Sequence, residues 1–170
     1  SGAKNIGQGG LRRHDNRYEV ANEYVEVLYK LFEGSWEDGA VVRDRERGIF
    51  THPGKVHEIG HKGKYFDVPG YHLCEPSPQR TPVLYQAGAS GAGKAFAAGH
   101  AECVFVASPL KSVLREYVAD VRRQAVAAGR DPRKVLVYNL VTVIVDETDA
   151  KAQARFDEYQ RHSSYDGALV

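Results

Sequence analysis

Over residues 16–33 apolar side chains recur every three or four positions, at Tyr18, Ala21, Tyr24, Val25, Leu28, Leu31 and Phe32. That period predicts a helix with one buried face. Asp15 suits its N-cap and Gly34 its C-terminal stop. The period is lost over residues 35–81, which are rich in Gly, Pro, His and alternating charge; within them "HKGKYFDV" predicts a short hairpin. A stretch that long between regular elements is uncommon in a compact domain and often carries function. The rhythm then becomes regular: residues 83–86 read as a strand, 92–100 as a short helix and 102–107 as a buried strand. Ser108 and Pro109 are placed to cap and open a helix to about residue 128, with Gly129 closing it. "GRDP" turns the chain into residues 135–145, "VLVYNLVTVIV", too apolar for a strand wetted on one face. Thr148 or Asp149 starts a last helix, running to about residue 162.

Apolar strands alternating with helices predict an α/β fold of parallel βα units with the helices outside. A closed eight-fold barrel takes about 250 residues. Three clear strands leave two alternatives, a small open sheet or part of a barrel. At 170 residues and 42% hydrophobic, the chain suits one domain with a sizeable core. A net charge of +1 gives no electrostatic case for nucleic acid or an anionic membrane. No apolar run approaches the roughly 20 residues that span a bilayer, and no leader pattern supports secretion, so a cytoplasmic location is expected. Cys74 and Cys103 form neither a disulfide framework nor a C-x-x-C metal pair. The chain has no methionine and opens on a glycine-rich run, "SGAKNIGQGGLRRHD", which suggests a piece of a longer protein; a processed terminus would look the same.

The most pointed motif is "VLYQAGASGAGKAF", with Gly88, Gly93 and Lys94 spaced G-x-x-x-x-G-K. A nucleotide P-loop needs Ser or Thr after the lysine to bind magnesium, and here Ala95 follows. The strand "ECVFVA" also lacks a terminal aspartate for that metal. What survives is the local shape: a glycine-rich turn at a helix N-terminus, where backbone N–H groups and the Ser90 hydroxyl favour an anion. A plain βα turn built of small residues is the alternative.

"HEIGH", residues 57–61, matches the H-E-x-x-H zinc-protease pattern. That chemistry needs both histidines on one helical face. Pro53, Gly54, Gly60 and Gly63 argue against a helix, so a solvated loop or hairpin is expected and no metal site. "GASGA" fails as a nucleophile elbow, because Ala92 stands where G-x-S-x-G needs glycine. His14 and Tyr18 are four apart near a helix N-terminus, beside Arg12, Arg13 and Arg17. They suit donation to a phosphate; a surface histidine and a core tyrosine would look the same. His72, His100 and His162 read as structural or surface residues.

Together, "HDNRYEVANEYVEVLYKLFEGSWEDGAVV" and "KYFDVPGYHLCEPSPQRTPVLYQAGASGAGKAFAAGHAECVF" resemble the bacterial-luciferase-like FMN-dependent monooxygenases. The nearest branch is that of nitrilotriacetate monooxygenase component A, dibenzothiophene-sulfone monooxygenase and long-chain alkane monooxygenase. The similarity weakens after about Ser108. The resemblance implies a (β/α)8 TIM barrel with FMN at the C-terminal ends of the strands. It implies that His14, Tyr18, Ser90 and, through its backbone, Ala89 bind the flavin, largely at its phosphate. The glycine-rich turn would then cradle FMN rather than ATP. The implied reaction is two-component: a separate NAD(P)H:flavin reductase delivers reduced FMN, which with O2 oxygenates a small organic substrate. On this reading the chain is the central segment of one barrel domain, with an insertion at about residues 35–81 that could act as a lid. No catalytic residue carries over, since the positions that hold them have no match here. An incomplete barrel is also expected to associate as a homo-oligomer. The rival reading is a non-catalytic partial-barrel remnant or interaction module.

Overall fold

The computed structural model describes residues 14–164 and residue 167, with the backbone alone at positions 14 and 15. Helix α1 spans His14–Tyr29 and runs into a π-helical turn, Lys30–Gly34. Asp15 lies inside this helix rather than ahead of it, so it is not the N-cap expected from its residue type. Gly34 does close the element. The helix buries Val25 and Val27 and leaves Tyr24 half exposed, a narrower buried face than the apolar spacing suggests.

Residues 35–81 carry two small antiparallel pairs. Strands β1 (Val41–Asp44) and β2 (Ile49–Thr51) form one, and β3 (His61–Lys62) pairs with β4 (Asp67–Val68) where the hairpin was expected. Ser35 and Trp36 anchor this region. The indole donates to the His72 carbonyl (2.8 Å), and the Ser35 hydroxyl accepts from the His72 N–H (3.0 Å). Ser35 is fully buried, and the His72 N–H gives its hydroxyl oxygen a partner there.

The regular part is a three-stranded parallel sheet ordered β5 (Tyr85–Ala87), β6 (Cys103–Val106), β7 (Leu136–Asn139). Helix α2 (Gly91–His100) joins β5 to β6, and α3 (Lys111–Ala127) joins β6 to β7. Both pack on one face, so the fold class is α/β with parallel βα units, as the sequence predicts. The core between sheet and helices is made of small side chains, Ala97, Ala98, Ala101, Val104, Val121, Ala125 and Val135. Alanines on α2 let helix and sheet approach closely, at the cost of a thin core. Arg130 closes the lower end of α2, donating to the carbonyls of Ala98 and Ala101 at 2.8 Å each. A guanidinium there satisfies carbonyls the helix leaves unpaired and complements its dipole.

Two further expectations are corrected. The run 135–145 is a strand only over Leu136–Asn139, and Leu140, Val141, Val143 and Val145 are exposed. A strand needs a partner, and among the described residues β7 pairs with β6 alone. The second face of the sheet is likewise left open by the described residues. Tyr85, Phe105, Leu136 and Tyr138 project from it half exposed, with ring centres 5.5 Å (Tyr85–Phe105) and 5.6 Å (Phe105–Tyr138) apart. Finally, α3 begins at Lys111 and Ser108 does not cap it. The Asn139 side chain holds Ser108 instead, accepting from its N–H (3.0 Å) and donating to its carbonyl (3.2 Å). Gly129, with φ of +75°, closes α3 as expected. The last helix, α4 (Asp149–Arg161), starts on a Thr148 N-cap whose hydroxyl accepts from the Lys151 N–H. No helix among the described residues is long and apolar enough to cross a membrane.

Candidate functional site

The turn of residues 88–90 leaves the C-terminal end of β5 and enters α2, the end of a parallel sheet at which α/β proteins place their ligands. Ser90 is the N-cap of α2: its backbone is extended (φ −69°, ψ 161°), and its hydroxyl oxygen accepts from the Gly93 N–H at 3.1 Å. Because that hydroxyl accepts there, its own proton is left to donate elsewhere. The first N–H groups of α2 have no partner within the helix and carry the positive end of its dipole.

Tyr18, from α1, closes this turn. Its hydroxyl lies 3.5 Å from the Gln86 amide nitrogen, which donates to it, and its ring sits 5.7 Å from that of Phe96. Two glycines make room for the phenol. A Cβ on Gly88 would stand 3.2 Å from the Tyr18 hydroxyl oxygen, and one on Gly93 only 2.7 Å from it. The structure therefore brings together three of the four residues singled out in the sequence, Tyr18, Ala89 and Ser90. The His14 side chain lies outside the described residues.

Lys94 points away from this turn. Its ammonium pairs with Asp120 on α3 and lies 6.0 Å from the centre of the Tyr117 ring. Hydrogen bonding to that ammonium, with Gln124, holds the Asp120 carboxyl below its ordinary range. The lysine of the G-x-x-x-x-G-K match thus staples two helices, and nothing in its geometry serves a nucleotide.

Residues 57–61 are not helical, as expected. His57 pairs with Glu37 (2.7 Å), whereas His61 is buried on β3 and pairs with Glu23 of α1 (3.3 Å). The two histidines serve different contacts, and among the described residues no group of three or more His, Cys, Asp or Glu side chains is placed to hold a metal ion. Glu23 also accepts from the backbone N–H groups of Lys64, Tyr65 and Phe66. Desolvation works to raise its pKa, but those N–H groups and His61 outweigh it and hold the carboxyl below its ordinary range. Through Glu23 the β3–β4 hairpin fixes the helix that carries Tyr18.

His100, at the end of α2, lies 2.9 Å from the Asn22 carboxamide oxygen through Nε2 and 3.3 Å from the Tyr29 hydroxyl through Nδ1. Burial, and then the nearby Arg130 charge, push its pKa down, so the neutral ring is favoured. It is a structural link between α1 and α2, as the sequence reading has it. Tyr117, Asp120 and Glu23 were not singled out in the sequence. An aromatic on an amphipathic helix reads as core, and an acidic residue on its far face as solvated.

Comparison with known proteins shows the family. A family model described as luciferase-like monooxygenase matches residues 1–168. Dimethyl-sulfide monooxygenase of Hyphomicrobium sulfonivorans is 51% identical over 170 residues, covering 100% of this chain and 35% of that protein. Long-chain alkane monooxygenase of Geobacillus thermodenitrificans is 52% identical over 170 residues, 100% of this chain and 39% of that protein. Nitrilotriacetate monooxygenase component A of Aminobacter aminovorans is 37% identical over 155 residues, 91% of this chain and 34% of that protein. Among solved structures, a long-chain alkane monooxygenase superposes with a TM-score of 0.90 at 51% identity, covering 98% of this chain and 38% of that one. A riboflavin lyase solved with modified FMN and riboflavin gives 0.85 at 37% identity, covering 92% and 34%. The chain belongs to the luciferase-like monooxygenase family, in the branch its motifs suggest. It spans little more than a third of the length of these relatives, 35% and 39% for the first two.

Proposed function

We propose that this chain carries the phosphate end of the FMN site of a flavin-dependent monooxygenase and forms the central segment of a (β/α)8 barrel, with residues 35–81 as an insertion near its mouth. The observation that carries this reading is the convergence of Tyr18 on the turn capped by Ser90, in space that a Cβ at 93 would occupy and one at 88 would crowd. The donor set fits a phosphate. It comprises a hydroxyl whose proton is left to donate, a phenol, and backbone N–H groups at a helix N-terminus, with no magnesium ligand required.

In this reading the Ser90 hydroxyl and the Ala89 N–H hold phosphate oxygens, Tyr18 orients them, and His14 adds a donor from the first turn of α1. When bound, reduced FMN supplies the reaction with dioxygen that oxygenates a small organic substrate. A separate NAD(P)H:flavin reductase is the partner this implies, and the "component A" of one relative's name is in keeping with it. The open aromatic face of β5–β7 favours a second reading, a non-catalytic unit that pairs with a complementary half through that face. FMN titration followed by flavin fluorescence separates the two. The enzyme reading expects Ser90→Ala and Tyr18→Phe each to weaken binding by about tenfold, roughly 1.4 kcal/mol. A remnant binds no flavin, with or without the substitutions.

A further inference from the structure

The turn assigned above to the flavin phosphate is gripped from outside by α3. Tyr117 and Asp120 are three apart on that helix and so share a face. Tyr117 donates its hydroxyl proton to the Gly88 carbonyl at 2.7 Å, while Asp120 pairs with Lys94 in the first turn of α2. Val121 and Ala125 on the same helix are fully buried in the core, which fixes the rotation of α3 and therefore where Tyr117 reaches.

A peptide unit is planar and trans, so its carbonyl and its N–H point in opposite directions. Holding the Gly88 carbonyl toward α3 turns the Ala89 N–H away from α3. The neighbouring residue explains why such an anchor is needed. Position 88 favours glycine, because a Cβ there would crowd the Gln86 amide at 3.1 Å and the Tyr18 hydroxyl at 3.2 Å. Glycine, however, leaves the backbone with more conformations than any other residue. Left to itself, the peptide following Gly88 has no fixed orientation, and an N–H that swings is a poor anion ligand.

We propose that Tyr117 is a positioning residue of the phosphate cradle: its hydroxyl fixes the peptide between Gly88 and Ala89 so that the Ala89 N–H faces the flavin phosphate. This rests on the FMN reading above. Burial, and then the nearby Asp120 carboxylate, push the Tyr117 pKa up, so the hydroxyl remains a donor across the neutral range.

Tyr117→Phe keeps the ring and removes only the donor. FMN and riboflavin, which differ by the phosphate, are titrated into wild type and variant by flavin fluorescence. The expected result is about a fivefold loss of FMN affinity, the size of one hydrogen bond, with riboflavin affinity unchanged, so that the preference for FMN falls. Asp120→Asn loosens the same helix contact without touching Gly88; it is expected to lower the Tm and leave the preference intact. Unchanged FMN affinity in Tyr117→Phe overturns the proposal, and so does an equal loss for both flavins. A fall in preference in Asp120→Asn as large as that in Tyr117→Phe also overturns it, because the effect would then belong to packing. A wild type with no preference for FMN overturns the FMN reading itself and this proposal with it. Preference in the wild type that survives intact in Tyr117→Phe overturns this proposal alone.

Discussion

A Cβ on Gly93 would stand 2.7 Å from the hydroxyl oxygen of Tyr18, so the first helix and the start of α2 are fitted closely to one another at this contact. Gly93 lies in the first turn of α2, where alanine would otherwise be favoured by up to about 1 kcal/mol. The steric term wins, since forcing an extra methyl into a packed site costs about 1–3 kcal/mol. Relief comes from moving the phenol out of the turn.

Gly93→Ala is therefore expected to displace Tyr18 and weaken FMN binding tenfold or more. Gly99→Ala, on the same helix with nothing within 4 Å of its Cβ, is expected to stabilise the fold by about 0.5–1 kcal/mol and leave FMN affinity alone. Thermal unfolding and flavin titration of the two variants side by side check the contrast.

Lys94→Ala separates the nucleotide reading from the flavin one. The lysine is paired with Asp120 and not directed at the turn. The substitution is expected to lower the Tm by a few degrees and to change FMN affinity by less than about threefold, which is under 1 kcal/mol. Magnesium-dependent ATP binding by the wild type, abolished in the variant, would contradict the assignment.

Glu23 ties α1 to the β3–β4 hairpin by accepting from three backbone N–H groups and pairing with the buried His61. Glu23→Ala leaves those donors without their partner, and the loss of an acceptor from a partly buried network exceeds the loss of an isolated surface bond. Faster proteolysis within residues 57–70 and a lower Tm are expected. The same variant should weaken FMN binding only as far as α1 shifts, by less than Tyr18→Phe does.

His100 makes stability depend on pH with a definite sign. Its pKa in the fold lies below the ordinary histidine value, so between the lowered value and the ordinary one the unfolded chain binds more protons than the folded one. Its contribution is intact above about pH 6.5 and is lost as the pH falls below that, toward the lowered value. Denaturant unfolding at pH 7 and pH 5 is expected to show the decline, and His100→Gln is expected to flatten it.

How much of this is legible in the sequence differs by element. The turn of residues 88–93 is legible because local chemistry writes it: glycines where the backbone must come close, serine where a helix begins. The fall of Tyr18 into that turn is not, since Gln86 and Tyr18 are 68 positions apart and no local pattern encodes their meeting. Resemblance to a family supplied that pairing. Residues 135–145 mislead for a related reason. Their unbroken apolarity suits a strand covered on both sides, whereas among the described residues the sheet has one helical layer and β7 one neighbour. Asp15 and Ser108 show the weakness of cap residues as markers, because each has the right chemistry within two or three positions of a helix start and neither caps it. Tyr117 is silent in the sequence, since an aromatic on an amphipathic helix reads as packing until its hydroxyl is seen to reach a carbonyl.

The measurement that bears most directly on the account is the affinity of the wild-type chain for FMN against riboflavin, titrated under one set of conditions by flavin fluorescence. Both flavins present the same ring, so the ratio isolates the phosphate. Tighter binding of FMN by tenfold or more, about 1.4 kcal/mol, is the predicted result and assigns the turn at Ser90 to the phosphate. Equal affinity for the two flavins would contradict it.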